Sequence, residues 1–405
     1  MSSPFETLFS QALGLEKPWT VDRITFSEAD KRLDIYLDFP RGSKFTCPVC
    51  GRKDVPAYDT HEKSWRHLNF FQHQAYLHAP EPRVNCPKCG VKNSTLPWAR
   101  PDSGFSLLFE ALVMMLAGDM PVKAIAEMLG EHDTRIWRVI SHYVEEARKR
   151  EDYYQVCRIG VDETARKRGH HYVSIFADLD RSKVIFACEG KGKKVIGQFS
   201  NDFHDHNGDP DAIREVCCDM SPAFIEGIEL CLPNARITFD RFHVMKIVND
   251  AVDKVRREEQ KECPALKKSR YVWLRNPENL KAAQRDQLEA LSQLNLRTAT
   301  AYQMKLNLRE FWKLPYREAM HFLMSWMLWL LNSGLEPMIE VARTILRHYE
   351  GIVAFTKSKI SNGVLEGINS LMQAARNKAR GYRTVEYFIN VIYLIAGKLN
   401  FQLPT

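Results

Sequence analysis

Apolar and polar positions along this chain change period more than once, and each change marks a different kind of element. Trp19 to Phe26 and Arg32 to Phe39 alternate with period two on either side of Ser27-Glu28-Ala29-Asp30, which predicts a β-hairpin. Ser64 to Val84 alternates through Trp65, Leu68, Phe70, Phe71 and Tyr76 and predicts further short strands. From Phe105 the spacing becomes helical. Pro121 to Leu129, then Gly130, then Thr134 to Val144 predict helix, tight turn, helix.

A second set of apolar runs follows. Arg158 to Val161 leads into Asp162-Glu163, and Tyr172 to Leu179 and Val184 to Cys188 flank the turn Asp180-Arg181-Ser182-Lys183. Glu215 to Cys218 ends at Asp219, Ser221 to Leu232 has helical spacing, and Ala235 to Phe239 ends at Asp240. Three strands, then helix, strand, helix, strand predict an α/β sheet of the ribonuclease-H type, with the first and fourth strands side by side. Between His243 and Lys357 no strand pattern recurs. Asp250 to Lys261, Asn279 to Leu296 and Phe311 to Leu331 read as an all-helical insertion, with Trp312, Trp326 and Trp329 as core residues rather than base-stacking platforms. The run His321 to Leu331 is too short to span a bilayer and is expected to be a buried helix.

Composition changes the picture only modestly. At 405 residues, 45% hydrophobic and 26% charged, the chain has the make-up of a folded, multidomain protein. No charged-then-apolar leader opens it, so a cytoplasmic protein is expected. The formal net charge of +7 is concentrated at Arg148 to Arg150, Arg166 to Arg168, Lys191 to Lys194 and Arg376 to Arg383. Any one such cluster is ordinarily a solvated face; their recurrence beside acidic motifs suits a phosphate backbone.

Nine of the ten cysteines fall into two groups, and Cys263 is uninformative. Cys47-Pro-Val-Cys50 and Cys86-Pro-Lys-Cys89 are paired knuckles, each followed by glycine, and four such sulfurs make a closed tetrahedral zinc site. A redox pair fits less well, because two knuckles occur together and neither opens a helix. His61, His67, His73 and His78 lie between them, but four cysteines already fill the shell. Cys157, Cys188, Cys217, Cys218 and Cys231 sit among apolar residues, as small core hydrophobes do.

Asp162, Asp219 and Glu366 carry the candidate chemistry: two acids at the ends of apolar strands and one in the first turn of a late helix beginning at Asn362-Gly363. Hard oxygen ligands suit magnesium, and two ions about 4 Å apart stabilise both the attacking and the leaving oxygen of an in-line displacement. Asp240 also ends a strand and is the rival for the second position. With Asp219 in that place, Asp240 and His243 would orient the substrate or the metal shell, and Asn369, one turn beyond Glu366, would hold a water or a phosphate. Arg135 and Arg138 on the second of the paired helices would face DNA, and Arg376, Lys378, Arg380 and Arg383 would line a groove for the cleaved strand.

The zinc knuckles, the paired helices, Gly160-Val161-Asp162-Glu163, Cys218-Asp219-Met220-Ser221, Phe239-Asp240-Arg241-Phe242-His243 and Asn362 to Asn369, in that order, resemble the ISL3-type insertion-sequence transposases over essentially the whole chain. One departure is the single arginine, Pro82-Arg83, where a doubled one often precedes the second knuckle. The resemblance implies a DDE transposase with a ribonuclease-H-like catalytic domain that binds the terminal inverted repeats of a bacterial element. It implies Asp162, Asp219 and Glu366 as the triad, with magnesium or manganese, structural zinc and at least a homodimer on paired DNA ends. The expected organisation is a zinc-binding β domain over 1–100, a helix-turn-helix region over 101–152, a catalytic core over 153–250, a helical insertion over 251–350, and core helices with Glu366 over 351–405. A metal-dependent nuclease without strand transfer and a DNA-binding regulator with an inactive catalytic domain are the alternatives.

Overall fold

The computed structural model describes residues 4–167, 171–360 and 362–404, and the chain divides into two compact units, Met1–Ala147 with Asn400–Thr405, and Arg148–Leu399.

The first unit opens with α1 (Pro4–Ala12) and is built on a sheet of β1 (Thr20–Ser27), β2 (Arg32–Asp38), β3 (Lys44–Phe45), β4 (Val55–Phe70), β5 (His73–Cys86) and β6 (Gly90–Asn93). Strand order is β1-β2-β5-β4-β3, with β6 also paired to β5. The β1–β2 hairpin forms as its alternation predicts, and Ser27 Oγ donates to Asp30 Oδ2 across the turn at 2.7 Å. Where short strands were expected, β4 and β5 are instead a long antiparallel hairpin. Exposed polar residues such as His61 and Glu62 interrupt the apolar pattern, yet the ladder to Glu81 and Pro80 continues through them. Trp19, Trp65 and Trp98 interlock edge to face in the core.

Three helices complete this unit: α2 (Leu107–Ala117), α3 (Val122–Leu129) and α4 (Asp133–Arg148). Ser106 caps α2 by accepting from Phe109 N at 3.3 Å. Gly130 ends α3 at φ +67. A Cβ there would lie 2.7 Å from the Gln74 amide, so the turn between α3 and α4 needs glycine for both space and conformation.

The second unit is a five-stranded sheet in the order β11-β10-β7-β8-β9, formed by β7 (Arg158–Lys167), β8 (His171–Asp178), β9 (Lys183–Glu189), β10 (Glu215–Cys218) and β11 (Arg236–Phe239). β7, β8 and β9 are antiparallel neighbours, and β10 runs parallel to both β7 and β11. Asp178 closes the turn after β8 by accepting from the amides of Asp180 and Arg181. The helices α5 (Lys193–Asp205) and α6 (Pro222–Cys231) make the crossovers. Asp162 does not end its strand: the apolar run stops there, but pairing with β8 carries β7 on to Lys167.

After β11 the described elements are all helical: α7 (Arg241–Glu259), α8 (Arg270–Leu274), α9 (Ala282–Ser292), α10 (Arg297–Phe311), α11 (Tyr316–Leu331), α12 (Glu336–Arg347), α13 (Tyr349–Ser358), α14 (Gly363–Ala379) and α15 (Val385–Ala396). Trp312 and Trp326 are core residues; Trp326 Nε1 donates to Met304 O at 2.9 Å. α11 is buried on one face only, because Met324, Leu328, Trp329 and Leu331 are exposed, so the expected buried helix is half wrong. Among the described residues no helix is long and apolar enough to cross a membrane.

Candidate active site and zinc centre

The two knuckles meet at the end of β5. Gly51 and Gly90 turn at φ +71 and +70, letting the chain double back so that Cys47, Cys50, Cys86 and Cys89 present ligand atoms within 4.8 Å of one another. Backbone amides of Cys50 and Val49 draw the Cys47 thiol below its ordinary value, and those of Lys88 and Cys89 help draw Cys86 down to about 6. Burial and the sulfurs of Cys50 and Cys47 push Cys89 the other way, up to about 12. Amides favour thiolates here while crowding forbids four uncompensated ones, which is the donor set of a structural zinc site. The nearby histidines have other partners. His61 faces Glu81 at 2.7 Å, His67 Nδ1 pairs with Ser106 Oγ at 2.8 Å, His78 lies between Ser64 and Asp34, and His73 packs edge-on against Phe26. Arg83, the single arginine before the second knuckle, is held by Asp59.

On the paired helices the two arginines differ. Arg135 is bonded to Glu131, one turn earlier, and its guanidinium lies 4.2 Å from the Phe105 ring centroid, whereas Arg138 is exposed.

The acids of the second unit are organised by strand register. β10 pairs with β7 through Cys217 opposite Gly160, and two residues beyond that pair stand Asp219 and Asp162. β10 pairs with β11 through Cys218 opposite Phe239, and one residue further stand Asp219 and Asp240. Three carboxylates therefore stand level across three neighbouring parallel strands, just past the carboxyl ends of β10 and β11 and midway along β7. The electrostatics agree. Burial raises the Asp162 carboxyl above its ordinary value, the Glu163 amide and His243 pull it back, and Asp219 and Asp240 push it up again. Glu163, on the same strand, is raised by burial and then by Asp219.

The helix α14 closes this row from above. Asn362, Glu366 and Asn369 are spaced along one face, and the two asparagines reach different acids. Asn369 Nδ2 donates to Asp162 Oδ2 at 2.7 Å, and the backbone N–H of Asn362 donates to Asp240 Oδ1 at 3.4 Å. Glu366 lies between these tethers, exposed, and lines a cavity together with Asp240. Gly160 makes the approach possible: a Cβ there would stand 2.7 Å from Leu365 Cδ1 and 2.9 Å from Leu179 Cδ2. Among the described residues, the acids do not gather three ligand atoms within 4.8 Å as the cysteines do. Asn362 Oδ1 and Asn369 Oδ1 are buried beside them without a hydrogen-bond partner, so carboxylates and amide oxygens together offer a hard-oxygen set suited to a divalent cation.

Asp219 and Asp240 are not equivalent. Asp240 is 2% exposed, and its two oxygens face the Asn362 amide and, at 3.2 Å, His243 Nδ1. Asp240 raises His243 above its ordinary value, favouring an ion pair. Asp219 is half-buried and accepts from Ser221 N at 3.0 Å.

The basic clusters are likewise mixed. Arg376 Nη1 donates to Ala165 O at 2.6 Å and ties α14 to β7, while Lys378, Arg380 and Arg383 are exposed. Arg148 is bonded to Asp202 at 2.7 Å, Arg166 is buried near Arg383 O, and Arg168 lies outside the described residues. Lys305 is a feature that the sequence reading missed. It is 1% exposed and donates to the carbonyls of Trp273, Leu274 and Arg275 at the end of α8. Its only signal is a lysine among the apolar positions Met304, Leu308 and Phe311 of α10.

Three family models match in the same order as these sites. The zinc-finger of transposases IS204, IS1001, IS1096 and IS1165 covers residues 43–89 and with them all four cysteines. The helix-turn-helix domain of transposase family ISL3 covers 94–144, and the ISL3 transposase model covers 159–392, from β7 into α15. The transposase for insertion sequence element IS1557 of Mycobacterium tuberculosis is 26% identical over 96% of this chain and 94% of its own length. The transposase for insertion sequence element IS1001 of Bordetella parapertussis is 27% identical over 93% of this chain and 95% of its own. With the transposase model spanning more than half of its length and the zinc-finger and helix-turn-helix models preceding it, this chain belongs to the ISL3 family of insertion-sequence transposases.

Proposed function

We propose that the chain cuts and joins DNA as a DDE transposase, with Asp162, Asp219 and Glu366 as the catalytic acids on a ribonuclease-H-like sheet. The observation that carries this reading is the level row of strand carboxylates, bridged by the Asn369–Asp162 bond to the helix that bears Glu366. The strand order, with two parallel strands beside an antiparallel three, supports the fold assignment, and the helices between β11 and α14 fit an insertion within it.

Asp162, Asp219 and Glu366 would hold magnesium ions, which supply Lewis-acid stabilisation to the attacking and leaving oxygens of phosphoryl transfer. The protein's own groups do the rest. Asn369 fixes the rotamer of Asp162, and the exposed Lys378, Arg380 and Arg383 attract the phosphate backbone without reading sequence. Terminal inverted repeats are read by the first unit, with Arg138 the exposed candidate on α4. Two ends brought together call for at least two subunits.

Asp219 rather than Asp240 is the second acid on this reading, because both Asp240 oxygens are already engaged in holding His243 and Asn362. The test is cleavage of a duplex carrying the element's own end. Asp162→Asn, Asp219→Asn and Glu366→Gln should each reduce magnesium-dependent cleavage by at least about 10³-fold, about 4 kcal/mol of barrier, while end binding stays intact. Cleavage by Asp219→Asn at the normal rate would remove that residue from the triad. A nuclease reading predicts cleavage without joining, so transfer of the freed end into a target plasmid separates the two.

A further inference from the structure

Beside Asp240 and Glu366 a cavity of about 580 Å³ opens among α7, the end of α8, α10 and the start of α14, within the usual size range of ligand sites. One face of α7 lines it with Phe242, Met245, Lys246 and Asn249 at helical spacing, and Trp312 forms part of the opposite wall. The chemistry of this lining is specific. Phe242 is 60% exposed although it is a large aromatic ring. Asn249 Oδ1 and Trp312 Nε1 are buried polar atoms with no hydrogen-bond partner among the described residues, one an acceptor and one a donor. Arg241 and Lys246 are exposed at the rim. The other cations of the lining have partners: Lys305 holds carbonyls of α8, Arg309 holds Glu278, and Lys313 holds Glu310.

An apolar ring open to the cavity, with an unpaired donor and an unpaired acceptor buried on two residues of its wall, suits a flat group with its own donor and acceptor edge. Cations at its mouth, next to carboxylates that would otherwise repel DNA, suit a phosphate. We propose that this cavity receives a single nucleotide swung out of the duplex beside the scissile phosphate, with its base on Phe242 and its edge read by Asn249 and Trp312, and its phosphate on Arg241 and Lys246. The inference rests on Asp162, Asp219 and Glu366 being the cleavage site. It adds that cleavage there is coupled to unstacking of one neighbouring base.

The experiment uses full-length protein and duplexes carrying the element's end, with 2-aminopurine at each position within a few nucleotides of the cut. Binding is measured in calcium, and cleavage of the same duplexes in magnesium. One position should brighten several-fold on binding. Phe242→Ala and Asn249→Leu should abolish that signal, lower the cleavage rate about 10- to 100-fold, and leave end affinity within about three-fold, since stacking of one base is worth on this order. A mismatch placed at the bright position should restore much of the lost rate, because the unstacking is then already done, and this a merely misfolded variant would not show. Cleavage by the wild type with no bright position, or with a bright position that persists in both variants, overturns the nucleotide cavity and leaves the triad standing. No cleavage of any end duplex by the wild type overturns both.

Discussion

Asn369 donates its side-chain amide to Asp162 Oδ2 at 2.7 Å, joining residues 207 positions apart in the chain. This bond does for a strand carboxylate what a hydrogen-bonded neighbour does for a metal ligand generally: it fixes which oxygen points where. Replacing Asn369 by Ala should leave DNA binding unchanged and lower cleavage by about 10- to 100-fold, with the magnesium dependence shifted to higher concentration. A magnesium titration under single-turnover conditions checks this; an unmoved midpoint would mean that the bond is only a packing contact.

The absence of a side chain at residue 160 is a stability statement as well as a site statement. Gly160→Ala would press a methyl group onto Leu365 and Leu179 and lift α14 from β7, costing about 1–3 kcal/mol. Trimming the buried Leu365 costs stability of its own, but the double variant Gly160→Ala/Leu365→Ala should lose less than the two single variants summed. Urea melts of the four proteins of this cycle give the coupling directly, and strictly additive losses would show that the two residues do not compete for the same space.

Zinc removal should act on DNA recognition and leave the sheet of the second unit folded. Cys86→Ser, or chelation of the wild type, is expected to lower metal content from one zinc per chain to none and to weaken end binding by at least about ten-fold. Elemental analysis alongside a binding titration tests it. Retention of one tightly held zinc in Cys86→Ser would exclude the four-sulfur centre.

Acid sensitivity of the first unit should trace in part to His67. Burial, and then the Arg66 guanidinium, lower this imidazole to about 4. Its folded value lies below that of an unfolded histidine, about 6.5, so its contribution is whole above pH 6.5 and is lost as pH falls towards 4, by up to roughly 3 kcal/mol. Thermal melts between pH 7 and 4.5 should show a shallower loss for His67→Gln than for the wild type. Parallel curves would assign the acid sensitivity elsewhere.

What the sequence made legible was local. The zinc knuckles, the β1–β2 hairpin and the α3–Gly130–α4 turn are written in residues a few positions apart, and the structure forms all three. Strand ends were harder to read. The apolar run stops at Val161, but β7 continues because β8 supplies hydrogen-bond partners to Lys167, a fact that lies ten residues downstream and not in the run itself. The β4–β5 hairpin outlasts its alternation for the same reason. α11 misled because composition records how greasy a helix is, and not which of its faces finds a neighbour. The acids could be singled out from their places at the end of apolar runs, whereas their level alignment depends on register between strands, and the tethers from Asn362 and Asn369 depend on contacts across more than a hundred residues.

The bond from Asn362 to Asp240 brings the exit and the return of the helical stretch to one carboxylate, 122 residues apart in sequence. With the two feet of that packed stretch planted together, a flexible insertion in one of its surface turns costs little: doubling the length of such a loop adds only about 0.6 kcal/mol of closure entropy. The exposed bend at Gly334, between α11 and α12, is therefore a natural place to graft a reporter or a second DNA-reading module without disturbing the geometry of the acids.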